Sequence, residues 1–315
     1  MTYQSPRATI ETWHRRLGHR LLDAVSESVK SLSDKVTDLK ISDTREGLIS
    51  ICGVCAIGRQ HNQIDTGTRE KATEILNIID CDLCGRMQTP THTRETYFLT
   101  FIDEASGHVS ISLLKPKDAA LATFQGYQAR AEKAPLKEIQ SAPTGRGGEY
   151  MSKKFGKYLT DSGIQHIVSP ANTPTQNARA EGKNWTIMES TQCLLDDSKL
   201  GQELWGYAVL MAGHVYNRLP SRSHHNISYL QHWTGKVPSI GHLRIFGSTA
   251  GVHVPREKRQ KLEPKSIKDI LVGCEEDAGS RVYRVYDVAR KRLLLSEDVI
   301  IDETQVVVPN TLASG

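Results

Sequence analysis

The sequence predicts an α/β core built on a mixed sheet, with a small helical module rich in His and Cys before it and a small β-barrel after it. Three observations predict this. The first 65 or so residues carry many His, Cys and charged residues but few apolar runs; strand-like runs and then helical patterns follow from residue 75; and short β-like runs between basic or Gly-containing turns follow Pro238. A chain of 315 residues exceeds what one core usually serves, so several units are expected. Their boundaries are read at 1–66, 72–236 and 242–303, with 304–315 as a tail.

In the first unit, LLDAVSESVKSL reads as a helix, and so small a unit needs a staple. In the second, ILNIID, YFLTFID and HVSISLL read as three successive strands of a meander, with Gly107 turning the chain between the last two. A helix over 117–133, a strand at LKEIQS, a short helix over 153–161 and a strand at IQHIVS come next. Strands first and helices after imply a five-stranded mixed sheet with flanking helices. Helical patterns over 178–197 and 202–218 are expected to cover one face of it, the second ending before Pro220. In the third unit, LRIFG, DILVG, RVYRVYD and LLLSEDVII read as the strands of the barrel.

Composition excludes some classes. With 38% hydrophobic and 24% charged residues the chain is neither disordered nor membrane-spanning in character, and no run approaches the roughly 20 apolar residues a bilayer crossing needs. The start has no apolar signal core, so a nuclear and cytoplasmic location is expected. The formal charge of +4 is small, so any nucleic-acid surface must arise from local clustering.

His14 and His19 in WHRRLGH, with Cys52 and Cys55 in CGVC, supply two imidazoles and two thiolates. That donor set suits a closed tetrahedral structural Zn²⁺ site. The plain alternative, surface histidines plus a redox C-x-x-C pair, lacks the βαβ context of a thioredoxin-like motif. Asp82 ends a strand-like run and Glu181 lies near a helix start, and two acids on separate elements can converge on divalent cations for phosphodiester chemistry. Taken singly, each also reads as a turn former or a solvated helix residue.

WHRRLGH followed by CGVCAIGRQH resembles the pre-integrase zinc module of copia-type retrotransposon polyproteins. LCGRMQTPT, YFLTFIDEASGHVSISLLK, TGRGGEYMS and GIQHIVSPANTPTQNARAEGKN resemble the catalytic core of their integrases, and HLRIFG through LLLSEDVIIDE resembles the SH3-like module that follows it. The resemblance implies an RNase H-like fold and an Asp, Asp, Glu triad that binds Mg²⁺ or Mn²⁺. It makes Asp82 the first acid and Glu181 the third. The second falls at Gly145, with 35 residues (146–180) between it and Glu181, the family's own spacing.

Glycine offers no side-chain oxygen, so strand transfer is expected to be absent or very weak. Glu149 and Asp80 are the nearby acids available to stand in, and the resemblance gives position 80 no ligand role. Arg86, Ala178 and Gly182 also depart from the family's usual Pro, Gly and basic residue, and Gly182 lowers helix propensity by about 1 kcal/mol relative to Ala.

Lys153, Lys154, Lys183 and Asn184 flank the expected active face and are candidates for phosphate contact; Asn177 is a candidate cap or DNA contact. The basic run 256–268 holds Arg256, Lys258, Arg259 and Lys261, a nucleic-acid surface or a solvated hairpin. Two functions compete. One is an integrase-type polynucleotidyl transferase acting on element ends and target DNA as a homo-oligomer away from membranes. The other is a catalytically dead DNA- or RNA-binding protein from a decayed or domesticated element. A simple nuclease of the same fold would need neither the His/His/Cys/Cys set nor the SH3-like segment.

Overall fold

The computed structural model describes residues 9–20, 52–58, 72–133, 137–168, 178–221, 224, 226–253, 257, 259, 266–277 and 280–306. Its contacts group the chain into two units, one of residues 61–188 and 216–238, the other of residues 1–60, 189–215 and 239–315.

The first of these is built on a five-stranded sheet of order β3-β2-β1-β4-β5, with β1 Ile79–Cys84, β2 Tyr97–Asp103, β3 Val109–Leu114, β4 Ser141–Thr144 and β5 Gln165–Val168. The first three strands run antiparallel, while β4 lies parallel to both β1 and β5, so the sheet is mixed as expected. Gly107 turns the β2–β3 hairpin at φ +73, and a Cβ there would sit 2.6 Å from the Tyr229 ring, so only glycine fits.

Alternation along β1 and β2 puts Ile79, Cys81, Leu99 and Phe101 on one face. There they pack against Phe124 and Tyr127 of a helix at Ala120–Ala131 and against Phe155 and Leu159 of a helix at Lys153–Asp161. Phe101 stacks on Tyr127 with ring centroids 4.3 Å apart. Ser152 caps the second of these helices by accepting from the Phe155 amide at 3.2 Å. The opposite face carries Asp80, Asp82 and Thr100. It is met by the start of a long helix, Ala178–Ser198.

Two strands begin later than the sequence suggests. ILNIID gives way to a strand from Ile79, because Leu76 takes a left-handed conformation (φ 69) and its amide donates to Asp103 at 3.2 Å. LKEIQS gives way to SAPT, whose Pro143 lacks an amide donor and hides the strand from pattern reading.

Beside the sheet, His108 stacks on Trp233 at 5.0 Å. Burial, reinforced by Arg218 and Lys183, pushes its imidazole down to about 3. The unfolded chain then takes up the proton first, near pH 6.5. Stability is therefore full above that pH and falls as pH drops toward 3, by at most about 1.4 kcal/mol per pH unit. Urea unfolding at pH 7 and pH 5 checks this; His108→Gln should flatten the difference, and an unchanged slope in that variant would refute the assignment.

The first unit also holds a short antiparallel pair, β6 Pro220–Ser221 and β7 Ile227–Ser228. In the second unit, β8 Ser248–His253, β9 Ser266–Asp277, β10 Ser280–Asp287, β11 Arg292–Ser296 and β12 Val299–Val306 form an antiparallel sheet of order β11-β10-β9-β8-β12. Ala250, Leu271 and Val285 form its core, with Val252, Tyr283, Leu294, Val299 and Ile301 packed around them. LRIFG is not a strand here: pairing starts at Ser248, and LLLSEDVII divides into two strands.

The same unit holds short helices at Ile10–Arg16 and Gly53–Gly58, residues 189–198 of the long helix, and residues 205–215 of a helix at Trp205–Arg218. The two long helical patterns are thus divided between units, where the sequence reading laid both over one sheet. Among the described residues no helix is long and apolar enough to cross a membrane. The helix expected at 21–32 lies outside them.

Candidate functional site

Asp82 occupies the fourth position of β1, on the face turned away from the aromatic core. Its backbone carbonyl accepts from Thr100 Oγ1 at 3.2 Å, and its carboxylate accepts from Asn184 Nδ2 at 2.7 Å. Asn184 follows Glu181 by three residues on the long helix, one turn along, so the two share a helix face. Glu181 is solvent-exposed and Asn184 is buried, which leaves the acid at the open edge and the amide behind it.

Cys84 reports on both acids. Its thiol is pushed up to about 12, first by burial, then by the charge of Asp82 and its hydrogen bond to that carboxylate, and then by the charge of Glu181. Burial likewise raises the Cys81 thiol, with the charges of Asp80 and Asp82 adding to it.

Gly145 follows directly on Thr144, the last residue of β4, which pairs with Cys81 across the parallel β1–β4 contact, just as Asp82 follows Cys81 on β1. Nothing lies within 4 Å of a Cβ built at Gly145, so a side chain there has room. Asp80 shares the face but is only 5% exposed, deeper under the helix than Asp82. The Glu149 carboxylate folds over Gly147. Carboxylates such as Asp82 and Glu181 offer the oxygen ligands that a divalent ion takes.

His14, His19, Cys52 and Cys55 also meet, with their ligand atoms all within 4.8 Å of one another. Thr9 caps the Ile10–Arg16 helix, which carries His14, and the following turn through Gly18 brings His19 back to it. Cys52 Sγ lies 3.6 Å from His19 Nδ1 and Cys55 Sγ lies 3.3 Å from His14 Nε2. Tetrahedral zinc with bonds of about 2.0–2.3 Å sets its ligand atoms roughly 3.3–3.8 Å apart, so this spacing fits the ion.

The outer contacts agree. His14 Nδ1 donates to the Arg20 carbonyl at 2.7 Å, which leaves Nε2 as the donor atom for a metal, and His19 Nε2 lies 3.4 Å from Asp197 Oδ2, which leaves Nδ1. Burial opposes ionisation of Asp197, but hydrogen bonds from His19 and Arg15 outweigh it and hold that carboxyl below its usual range.

The candidate DNA residues divide. Lys153 and Lys154 are exposed. Lys183 is half-buried with its ammonium 5.9 Å from the Tyr229 ring centroid, and Arg259 is half-buried. Asn184 departs from the expectation of phosphate contact: at 4% exposure its amide is turned to Asp82, so it positions the carboxylate. Asn177, Arg256, Lys258 and Lys261 lie outside the described residues. Sequence reasoning missed the parts played by Cys84 and Asp197; the i, i+3 spacing of Glu181 and Asn184 was the one signal available for the Asn184 contact.

The chain resembles several known proteins. Residues 248–314 match the family described as the retroviral polymerase SH3-like domain. The chain is 34% identical over 95% of its length to the retrovirus-related Pol polyprotein from transposon TNT 1-94 of Nicotiana tabacum, covering 22% of that protein. It is 26% identical over 98% of its length to the corresponding polyprotein from transposon RE1 of Arabidopsis thaliana, covering 20% of it. Among solved structures, a chain of the simian T-cell lymphotropic virus intasome in complex with PP2A regulatory subunit B56 gamma is similar with a TM-score of 0.45 and 16% identity, over 78% of this chain and 84% of that one. The chain spans about a fifth of the length of the curated relatives it matches. It is a homologue of one segment of the retrovirus-related Pol polyproteins of plant copia-type transposons.

Proposed function

We propose that this chain is an integrase-type segment with an RNase H-like core, and that its DNA strand transfer is impaired by Gly145. The observation that carries the reading is the Asn184 amide, one helical turn from Glu181, donating to the Asp82 carboxylate, with the charges of both acids acting on the Cys84 thiol. Asp82 and Glu181 would hold Mg²⁺ or Mn²⁺, and divalent ions in such a site activate an attacking oxygen and steady the leaving one. Asn184 fixes the carboxylate rotamer, and exposed Glu181 leaves the edge open to a strand of DNA.

His14, His19, Cys52 and Cys55 hold structural Zn²⁺ in this reading. Lys153, Lys154 and Lys183, with the basic run that includes Arg259, supply phosphate contacts to element ends and target DNA. Work on chromosomal DNA places the chain in the nucleus, acting as a homo-oligomer. A second reading, a nucleic-acid-binding protein with a dead core, is favoured by Gly145 itself.

Mn²⁺ titration followed by electron paramagnetic resonance tests the metal edge. The full chain should bind Mn²⁺ weakly, and Asp82→Asn and Glu181→Gln should each remove most of that binding. Equal Mn²⁺ uptake by the parent and both variants would defeat the integrase reading.

A further inference from the structure

Three more side chains of ligand type converge apart from the two sets above. His214 lies on the Trp205–Arg218 helix, His242 in the segment leading to β8, and Cys274 within β9. His214 Nε2 is 3.1 Å from His242 Nε2 and 3.4 Å from Cys274 Sγ, and the three ligand atoms lie within 4.8 Å of one another. The imidazoles meet edge to face at 86°. All three residues belong to one contact unit.

The chemistry of this cluster favours a cation. A single imidazole nitrogen, His214 Nε2, faces both a second ring nitrogen and a sulfur, and all three are lone-pair donors once the thiol is deprotonated. The observed separations are close to the roughly 3.3–3.8 Å edges of a tetrahedral zinc site. Two imidazoles and a thiolate select zinc-like ions over Mg²⁺ or Ca²⁺.

The surroundings hold the ligands in place. His242 and Cys274 are buried at 4% and 5% exposure. The Tyr283 hydroxyl donates to the His242 carbonyl at 3.1 Å, Arg284 donates to the Cys274 carbonyl at 3.5 Å, and Cys274 pairs with Tyr283 across β9 and β10. The ligands are 28 and 60 residues from His214 in sequence, so no local motif announces them.

We propose that His214, His242 and Cys274 form a second zinc-class metal site, independent of the His14, His19, Cys52, Cys55 set. Three protein ligands leave one tetrahedral position for water or a small anion, and the ion would tie a helix, a connecting segment and a strand of one unit together.

The test uses the full chain, stripped with a chelator and titrated with Co²⁺ alone, whose thiolate charge-transfer absorption reports Cys–metal bonding. The parent should bind one more equivalent than Cys274→Ala, and Cys274→Ala should lose part of the charge-transfer band. His214→Gln, at a half-buried position that tolerates change, should lose the same equivalent, whereas Cys52→Ser should keep it. Circular dichroism checks that each variant is folded. Equal Co²⁺ uptake and equal absorption in the parent, Cys274→Ala and His214→Gln would overturn the proposal and leave a hydrogen-bonded His–His–Cys trio. Loss confined to Cys52→Ser would overturn it as well.

Discussion

Gly145→Asp is expected to raise strand transfer by roughly 10²–10³-fold, the largest gain any single substitution should produce in this chain. The magnitude follows from what a missing metal ligand costs: a carboxylate bridging to a catalytic ion contributes several kcal/mol, and each ~1.4 kcal/mol is tenfold in rate. The geometry admits the new side chain. Position 145 follows Thr144, the β4 partner of Cys81, nothing lies within 4 Å of a Cβ built there, and Thr144 Oγ1 is 2.9 Å from His166 Nε2.

Adding a negative charge next to Asp82 and Glu181 has an opposite effect without metal. Repulsion among three acids should lower the melting temperature of Gly145→Asp in chelator, and Mn²⁺ should restore it. Gly145→Asn, similar in shape but uncharged, should give neither the rate gain nor the metal-dependent recovery. A strand-transfer assay of parent, Gly145→Asp, Gly145→Asn and Asp82→Asn/Gly145→Asp decides the matter: rates for Gly145→Asp no higher than the parent would show that the missing acid is not what limits this chain.

Much of this was legible before any coordinates. Short-range spacing was readable: WHRRLGH and CGVC brought their four donors within reach of one another, and YFLTFID became β2 at the expected residues. The helix expected to carry Glu181 also came up against β1, where its Asn184 holds Asp82. What was lost depended on contacts distant in sequence. The clamp from Asn184 to Asp82 joins residues 102 apart, and nothing in the local pattern separates a buried amide from a surface one. The His214 trio is invisible for the same reason. β4 was hidden by chemistry, because a Pro in the middle of a strand argues against one, and only the parallel neighbours on both sides reveal SAPT as a central strand. The division of the chain into units was obscured because the two long helical patterns run unbroken through it, and periodicity reports a helix without saying which core each half serves.

Removing zinc from the His14, His19, Cys52, Cys55 set should unfold the N-terminal module while leaving the mixed sheet intact. Structural zinc sites of this donor type contribute about 10–16 kcal/mol at pH 7, as much as or more than the roughly 5–15 kcal/mol that stabilises a typical domain. Among the described residues few apolar contacts are in place to compensate. Among the described residues of 9–20 the buried apolar side chains are Trp13 and Leu17, and the ion pairs include the part-buried Arg15 with Asp197 at 2.8 Å and the buried Arg16 with Glu303. A buried pair such as Arg16 with Glu303 gives back much of its attraction as desolvation cost, so it orders the segment weakly by itself. Cys52→Ser should therefore lose one equivalent of zinc, and hydrogen exchange should lose protection across 9–20 and 52–58 with β1 to β5 unchanged. Acid should mimic the mutation, because imidazoles and thiolates must be deprotonated to bind and protons displace the ion as pH falls. Undiminished zinc content and protection in Cys52→Ser would mean that the four side chains meet without metal, and that packing alone holds the helix at Ile10–Arg16 in place.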